Sequence, residues 1–349
     1  MPGVVKDCSV FINDVREASQ TFSKGNFGYP LSGGGLELDL VEAAFLLQLD
    51  RLEILHGKKP MGFNEFFDYA SRKVRDFAIK YLVFKDLRER GFIVKPESGS
   101  FDLRVYPRGM SPSKSPPLYM VCAVSERSAL NINEFMDEIA QSEDRGKQLL
   151  YGVVDEEGDL TYYKMAILDP EGKVSPTQRV SPVCGNLVGD RIFVFDTEGG
   201  EALRNEAFYG KNVQGVLQLS LLEGCYLMGT GELTVTGKGG KEMTRDELVT
   251  LGRKTQDEFD LRLRAYEDLR GRGLVVKTGF KYGTHFRVYE ASPDECHARY
   301  LVHAVPASTV AMWPDISRTV RLSGGVKKQI LFCRISNEIE YLEFKWFRP

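Results

Sequence analysis

The sequence predicts an α+β chain made of two tandem, similar repeats, each ending in a mixed sheet. Residues 80–95 read KYLVFKDLRERGFIVK and residues 264–277 read RAYEDLRGRGLVVK, in each case a helical stretch ended by a glycine and followed by a strand. The echo extends in both directions. FDLRVY at 101–106 answers FRVY at 286–289, Leu40-Val41-Glu42-Ala43 answers Leu221-Leu222-Glu223-Gly224, and Lys147-Gln148-Leu149-Leu150 answers Lys328-Gln329-Ile330-Leu331. Only the second copy follows its FRVY with a histidine, Cys296-His297-Ala298-Arg299-Tyr300, where the first has Pro116-Pro117-Leu118-Tyr119.

Each element of the second copy has a local reason. Residues 190–195 alternate as a strand, and residues 219–228 carry apolar side chains at helical spacing. A hairpin-like GELTVTGKGGKEM leads to Thr244-Arg245-Asp246-Glu247, an N-cap and acidic first turn. The long helix through Tyr266 stops at Gly273, which suits a C-cap. Strands are expected at 274–277, 285–289 and 299–305, then a helix over 319–328 weakened by Gly324-Gly325. A last pair of strands, 328–334 and 339–347, surrounds the turn Ser336-Asn337-Glu338. The first copy ends the same way around Asp155–Asp159, and the Pro-, Gly- and Ser-rich stretch 169–189 reads as the seam.

Composition narrows the function. The chain has 349 residues, is 42% hydrophobic and 27% charged, and has no apolar run near the roughly 20 residues a membrane helix needs. The N-terminus MPGVVKDCSV lacks a signal core, so a cytoplasmic, membrane-free protein is expected. Six scattered cysteines without a C-x-x-C pair point to reduced thiols, not a disulfide frame or zinc site. A net charge of −3 argues against indiscriminate coating of nucleic acid. The distal second copy is nonetheless basic (Lys277, Lys281, Arg287, Arg299, Arg318, Arg321, Lys327, Lys328), as a focused polyanion site would be.

Several motifs mislead. The glycines 229–231 and 237–239 miss the phosphate-loop spacing, and no Ser or Thr follows Lys238. Asp155–Asp159 lacks the spaced ligands of a calcium loop. Asp294, Glu343 and Lys345 resemble the scattered carboxylates of metal-dependent nucleases, a rival reading that short patterns support weakly. Of the four histidines, His56 follows an apolar helix in the copy lacking the motif, and His303 sits in a strand that looks packed. His285 shares a strand face with Tyr289, and His297 precedes a strand where a loop can aim it.

Three blocks in order, RGLVVKTGFKYGTHFRVY, HARYLVH and VRLSGGVKKQILF, make the second copy resemble the archaeal tRNA-splicing endonucleases over about 185–349, and the first copy matches faintly over 36–168. The resemblance implies a degenerate structural repeat at 1–176 and a catalytic repeat at 177–349. The latter divides into an N-terminal mixed α/β subdomain at 185–273 and a nuclease-like subdomain at 274–349. It implies Tyr289 as general base, His297 as general acid and Lys328 as the cation stabilising a phosphorane-like transition state, with no metal or cofactor. The first copy keeps Tyr106 and Lys147 but has Pro116 for the histidine, so no site is expected there.

A free tyrosine, with pKa about 10, is a poor base, and a nearby Lys328 ammonium is expected to favour its phenolate. The implied substrate is a bulge–helix–bulge in precursor tRNA, cut to leave 2′,3′-cyclic phosphate and 5′-hydroxyl ends. Arg321 aligns with a base-stacking arginine, and Lys345, Trp346 and Arg348 compete for a second such place. The implied assembly is a homodimer whose inert repeat docks an acidic loop, drawn from Glu126, Asp137-Glu138 or Glu143-Asp144, into a basic cleft of the partner. A non-catalytic RNA-binding subunit is the other alternative, against which the intact trio argues.

Overall fold

The structure, a computed structural model, describes residues 2–174 and 182–349, so the repeat boundary at 176/177 and the middle of the seam lie outside the described residues. Two compact units are present. The first holds the described residues of Met1–Ala166 with Val310–Ser317 and Lys345–Pro349; the second holds those of Ile167–Thr309 with Arg318–Phe344.

The first unit opens with a six-stranded sheet in the spatial order Tyr29–Pro30, Leu36–Asp39, Ser9–Ile12, Pro2–Lys6, Glu53–His56, Lys59–Met61. All pairs are antiparallel except Pro2–Lys6 with Glu53–His56. The second unit repeats this order with Lys211–Val213, Val216–Leu219, Arg191–Val194, Val183–Val188, Leu233–Thr236 and Glu242–Met243, again with its single parallel pair in the middle. The expected hairpin thus exists as Leu233–Thr236 with Glu242–Met243.

Helix starts follow the capping chemistry. Asp39 with Glu42, Ser220 with Glu223, and Thr244 with Glu247 each form a reciprocal capping box, opening Leu40–Gln48, Leu221–Gly229 and Arg245–Thr255. The paired helices Phe77–Glu89 and Phe259–Gly271 end where Gly91 (φ 88°) and Gly273 (φ 74°) turn left-handed.

Glu42 and Glu223 also accept bonds from beyond their helices, and each faces a lysine. Glu42 takes the Lys95 ammonium at 2.8 Å and the Gly28 amide at 3.0 Å, and Lys95 donates onward to the Gly28 carbonyl at 2.7 Å. The sister pair is looser. Gly210 N reaches Glu223 at 2.7 Å and Lys277 donates to Gly210 O at 2.9 Å, but Lys277 Nζ stands 3.9 Å from Glu223. Burial lowers the pKa of both lysines.

The distal sheets also match. In the first unit Ile93–Pro96, Leu103–Tyr106, Tyr119–Ser125, Gln148–Val154 and Leu160–Leu168 lie side by side, with Tyr119–Ser125 and Gln148–Val154 parallel across the helix Ile132–Asp144. In the second repeat Val275–Thr278, Phe286–Tyr289, Tyr300–Pro306, Gln329–Ile335 and Ile339–Phe347 take the same order.

The crossover helix corrects the sequence reading: it runs Trp313–Gly325, not 319–328. Pro314 is tolerated in its first turn, where an N–H has no helical acceptor, and the apolar stripe Trp313, Ile316, Val320 continues to the buried Ser323. Within the first unit, Val310–Met312 pairs with Ala129–Asn131, and Trp313 lies against the rings of Tyr151 and Tyr163 at 5.0 and 5.6 Å.

Candidate active site

Strand register brings the three expected catalytic residues to one end of the second repeat's distal sheet. Val288 lies opposite Tyr300, and Tyr300 opposite Gln329. Tyr289 therefore closes its strand, His297 lies exposed in the loop just before the next, and half-buried Lys328 directly precedes the third. Among the described residues none of the three side chains hydrogen-bonds another.

A polar network missed by sequence reasoning ties these chain segments together. Arg299 donates to Glu290 at 2.5 Å and to Gln329 Oε1 at 3.1 Å, and Gln329 Nε2 donates to Glu343 at 2.7 Å. Its members are the chain neighbours of the three candidates: Glu290 follows Tyr289, Arg299 lies two past His297, and Gln329 follows Lys328. Their only signal in sequence was the charge within HARYLVH.

Tyr289 departs from expectation in its electrostatics. It is 8% exposed and packs with Val275 and Ala298, and this burial raises its phenol pKa. The cation opposing that rise is Arg287, 5.9 Å from its ring, while Tyr282 and Cys296 push it further up. Lys328 Nζ instead lies 5.9 Å from the ring of Tyr282. The phenol is therefore neutral near pH 7, and the cation that eases its ionisation is Arg287.

The first repeat carries the same backbone frame without the histidine. Leu118 N donates to Val105 O and Gln148 N to Leu118 O, just as Arg299 N donates to Val288 O and Gln329 N to Arg299 O. Pro116 thus occupies the position of His297, and Leu118 that of Arg299, so this repeat lacks both the histidine and the network. Tyr106 is buried at the end of Leu103–Tyr106, as Tyr289 is in its own strand.

His285 and His303 stack at 4.2 Å between ring centroids, away from the trio. His285 Nδ1 accepts from Ala304 N at 3.1 Å, and burial, then His303, lowers its pKa to about 3. His285 borders a cavity of about 480 Å³, whose cations are Arg191, Lys211, Arg262, Lys277 and Arg287. Arg262 Nε and Arg287 Nε are buried there without a hydrogen-bond partner among the described residues.

Arg321 lies exposed on the helix Trp313–Gly325. Lys345 and Trp346 are exposed on the last strand and belong to the first compact unit, and Arg348 is exposed beyond it. Of the acidic candidates, Glu138 is spent internally, accepting from the Tyr151 hydroxyl with its pKa raised by burial. In the turn Asp155-Glu156-Glu157 with Asp159 all four acidic residues are exposed, Glu156 pairing with Arg127, Asp155 Oδ1 accepting from the Glu157 and Asp159 amides, and Glu126 accepting from the Glu156 amide at 3.1 Å.

Asp294 is exposed and Glu343 engaged with Gln329, and among the described residues no three His, Cys, Asp or Glu side chains gather as a metal site. Nor is any described helix long and apolar enough to cross a membrane.

Two family models each match the chain twice. The tRNA intron endonuclease N-terminal domain covers residues 1–67 and 183–249, and the tRNA intron endonuclease catalytic C-terminal domain covers 77–162 and 259–341. Among curated relatives, a protein named tRNA-splicing endonuclease from Methanosarcina mazei is 39% identical over 330 residues, 93% of either chain. Proteins of the same name from Methanosarcina barkeri (40% over 334 residues, 94% of this chain and 95% of that one) and Halobacterium salinarum (35% over 334 residues, 90% of each) are also similar.

Proposed function

Because this chain belongs to the tRNA intron endonuclease family, we propose that it is an endoribonuclease that excises introns from precursor tRNA at bulge–helix–bulge sites. The observation that supports the reading is backbone register, which sets Tyr289, the loop carrying His297, and Lys328 at the same end of three adjacent strands, on a frame the first repeat builds with Pro116 instead.

The reaction is an internal displacement. The 2′-hydroxyl oxygen attacks the adjacent phosphorus as Tyr289 takes its proton, the bond to the 5′-oxygen breaks, and His297 gives that oxygen a proton. The products are a 2′,3′-cyclic phosphate and a 5′-hydroxyl. Lys328 supplies positive charge to the phosphorane-like state. With a phenol pKa above 10, under about one tyrosine in a thousand is phenolate at pH 7. Proton removal by Tyr289 is therefore the demanding step. The nucleophile is already part of the RNA, so the reading needs no metal-bound water and predicts cleavage in EDTA.

Two cuts per intron require two sites, which a homodimer supplies, one from each catalytic repeat 177–349, with the degenerate repeat 1–176 shaping the assembly. The cationic cavity, with two arginine Nε atoms unsatisfied, suits an acidic segment of the partner subunit. The exposed acidic turn Asp155–Asp159, in which no side-chain ion pair engages Glu157 or Asp159 among the described residues, is the best-fitting donor. Arg321 and Trp346 are the proposed stacking platforms for bulge bases, with Lys345 on the phosphate backbone.

Incubation of the purified protein with an intron-containing precursor tRNA in EDTA tests the reading. Cyclic-phosphate ends support it. Cleavage that chelation abolishes, or binding without cleavage, overturns it.

A further inference from the structure

The helix Trp313–Gly325 ends in a left-handed cap whose central residue is a lysine. Lys328 N donates to Ser323 O at 3.0 Å and Lys327 N to Gly324 O at 3.1 Å, the two bonds of a Schellman motif, with Lys327 at φ 54°. The first repeat builds the same cap with a different residue. Lys147 N donates to Ser142 O at 2.8 Å and Gly146 N to Glu143 O at 2.7 Å, with Gly146 at φ 65°. Ser142 and Ser323 are both buried, and each hydroxyl bonds the carbonyl three residues back at 2.8 Å, so the alignment of Gly146 with Lys327 is fixed by geometry.

Glycine is the residue that takes this conformation without a steric penalty. The second repeat has two glycines in the same turn, Gly324 and Gly325, yet neither has a positive φ, and the left-handed position falls to a lysine. Lys327 is exposed, and its ammonium has no carboxylate within 4.0 Å among the described residues. A cation near a helix C-terminus is favourable through the helix dipole. That would account for a lysine here without any role in function, and the two accounts differ in the sign of their effect on stability.

We propose that Lys327 is a substrate-binding residue, holding an RNA phosphate beside the one cleaved, and that the strained backbone persists because it aims this second ammonium alongside Lys328. The inference rests on the RNA-cleaving reading. It adds that the repeat carrying the histidine forgoes the glycine its sister uses, so that two adjacent cations face the RNA backbone.

The test is Lys327→Gly, with Lys327→Asn (uncharged and tolerant of the left-handed region) and Lys327→Arg (charge retained). Lys327→Gly is expected to raise Tm by about 1–3 °C through relief of backbone strain, and to weaken RNA binding roughly three- to tenfold at 0.1 M salt. The slope of log K against log salt should fall by about 0.7–0.9, one phosphate contact. Binding is measured in a His297→Ala background, so the readout is independent of cleavage. Lys327→Asn should lose the same slope, and Lys327→Arg should keep it.

An unchanged affinity and slope in Lys327→Gly, in a protein whose wild type cleaves precursor tRNA, overturns this inference alone. So does a fall in Tm, which would assign the lysine to the helix dipole. A wild type that neither binds nor cleaves the RNA overturns both readings.

Discussion

Replacing Lys95 by methionine should destabilise the first unit far more than the equivalent Lys277→Met destabilises the second. Glu42 is fully buried, and its carboxylate meets the ammonium at 2.8 Å. Two unit charges about 4 Å apart at an effective dielectric near 20 attract by about 4 kcal/mol. Removing one partner of such a pair costs about 3–5 kcal/mol, because the other charge stays buried and unpaired. Lys95 also gives up its bonds to Gly28 O and Asn26 O and its place 4.2 Å from the Tyr29 ring. A loss of about 4 kcal/mol lowers the melting of a domain this size by roughly 8–16 °C.

Glu223 keeps more when Lys277 is removed. Gly210 N, Ser220 N and Ser220 Oγ all donate to it at 2.7–2.9 Å, and the lysine stands 3.9 Å away beside an open cavity. About 1–2 kcal/mol is expected there, nearer the worth of a water-accessible pair. Calorimetry of both single variants decides the matter, with Glu42→Gln/Lys95→Met recovering a good part of the Lys95→Met loss. Equal losses for the two lysines, or a Lys95→Met loss below about 1 kcal/mol, would refute the reasoning.

His297→Ala should lose about 10²–10⁴ in cleavage rate while RNA affinity holds, and a 5′-thio leaving group, which needs no proton donor, should restore most of it. On that substrate only the base remains titratable. Because Tyr289 has a raised pKa, cleavage should climb about tenfold per pH unit from pH 6 to 9, and Tyr289→Phe should abolish the climb. Arg299→Leu, which installs the first repeat's residue, should cut kcat by about 10–100-fold with little change in Tm, because it unties the segments carrying the trio. A wild-type kcat would show the network to be idle. His285, neutral in the fold with pKa about 3 against 6.5 unfolded, costs nothing above pH 6.5. Below it the unfolded chain gains a proton the fold refuses, so stability should drop by up to about 1.4 kcal/mol per pH unit toward pH 3. His285→Asn, whose Oδ1 can still accept from Ala304 N, should flatten Tm against pH between 6.5 and 4; an unchanged slope would shift the cause elsewhere.

Much of the architecture was legible because it is written in short-range chemistry. Alternating strands, capping boxes and the glycine at 273 depend on neighbours a few residues away, and the duplicated text allowed each copy to check the other. The sequence reading starts the crossover helix at 319, although Pro314 in the first turn and the stripe Trp313, Ile316, Val320 both mark an earlier start. The Glu42–Lys95 pair, 53 residues apart in sequence, and the network through Arg299 had no local signature. Tyr289, His297 and Lys328 stand out in the sequence as motifs, and register sets them at one end of one sheet. The electrostatics of Tyr289 were not legible, because burial against Val275 and Ala298 outweighs any single nearby cation. The glycines at 324 and 325 suggested a break in the helix, whereas the left-handed turn falls on Lys327.

The repeat in the text and the unit in space are not the same object. Residues 310–317 and 345–349 are written in the second copy but belong to the compact body of the first, where Trp313 fills the space beside Tyr151 and Tyr163. A gene divided at the seam would therefore yield two polypeptides that are each unfinished: one with an aromatic bed lacking its occupant, the other with a tryptophan lacking its bed. Such halves would behave as obligate complementation fragments and not as a spare module and a working one. Once fused, the duplicated gene could not easily lose either half.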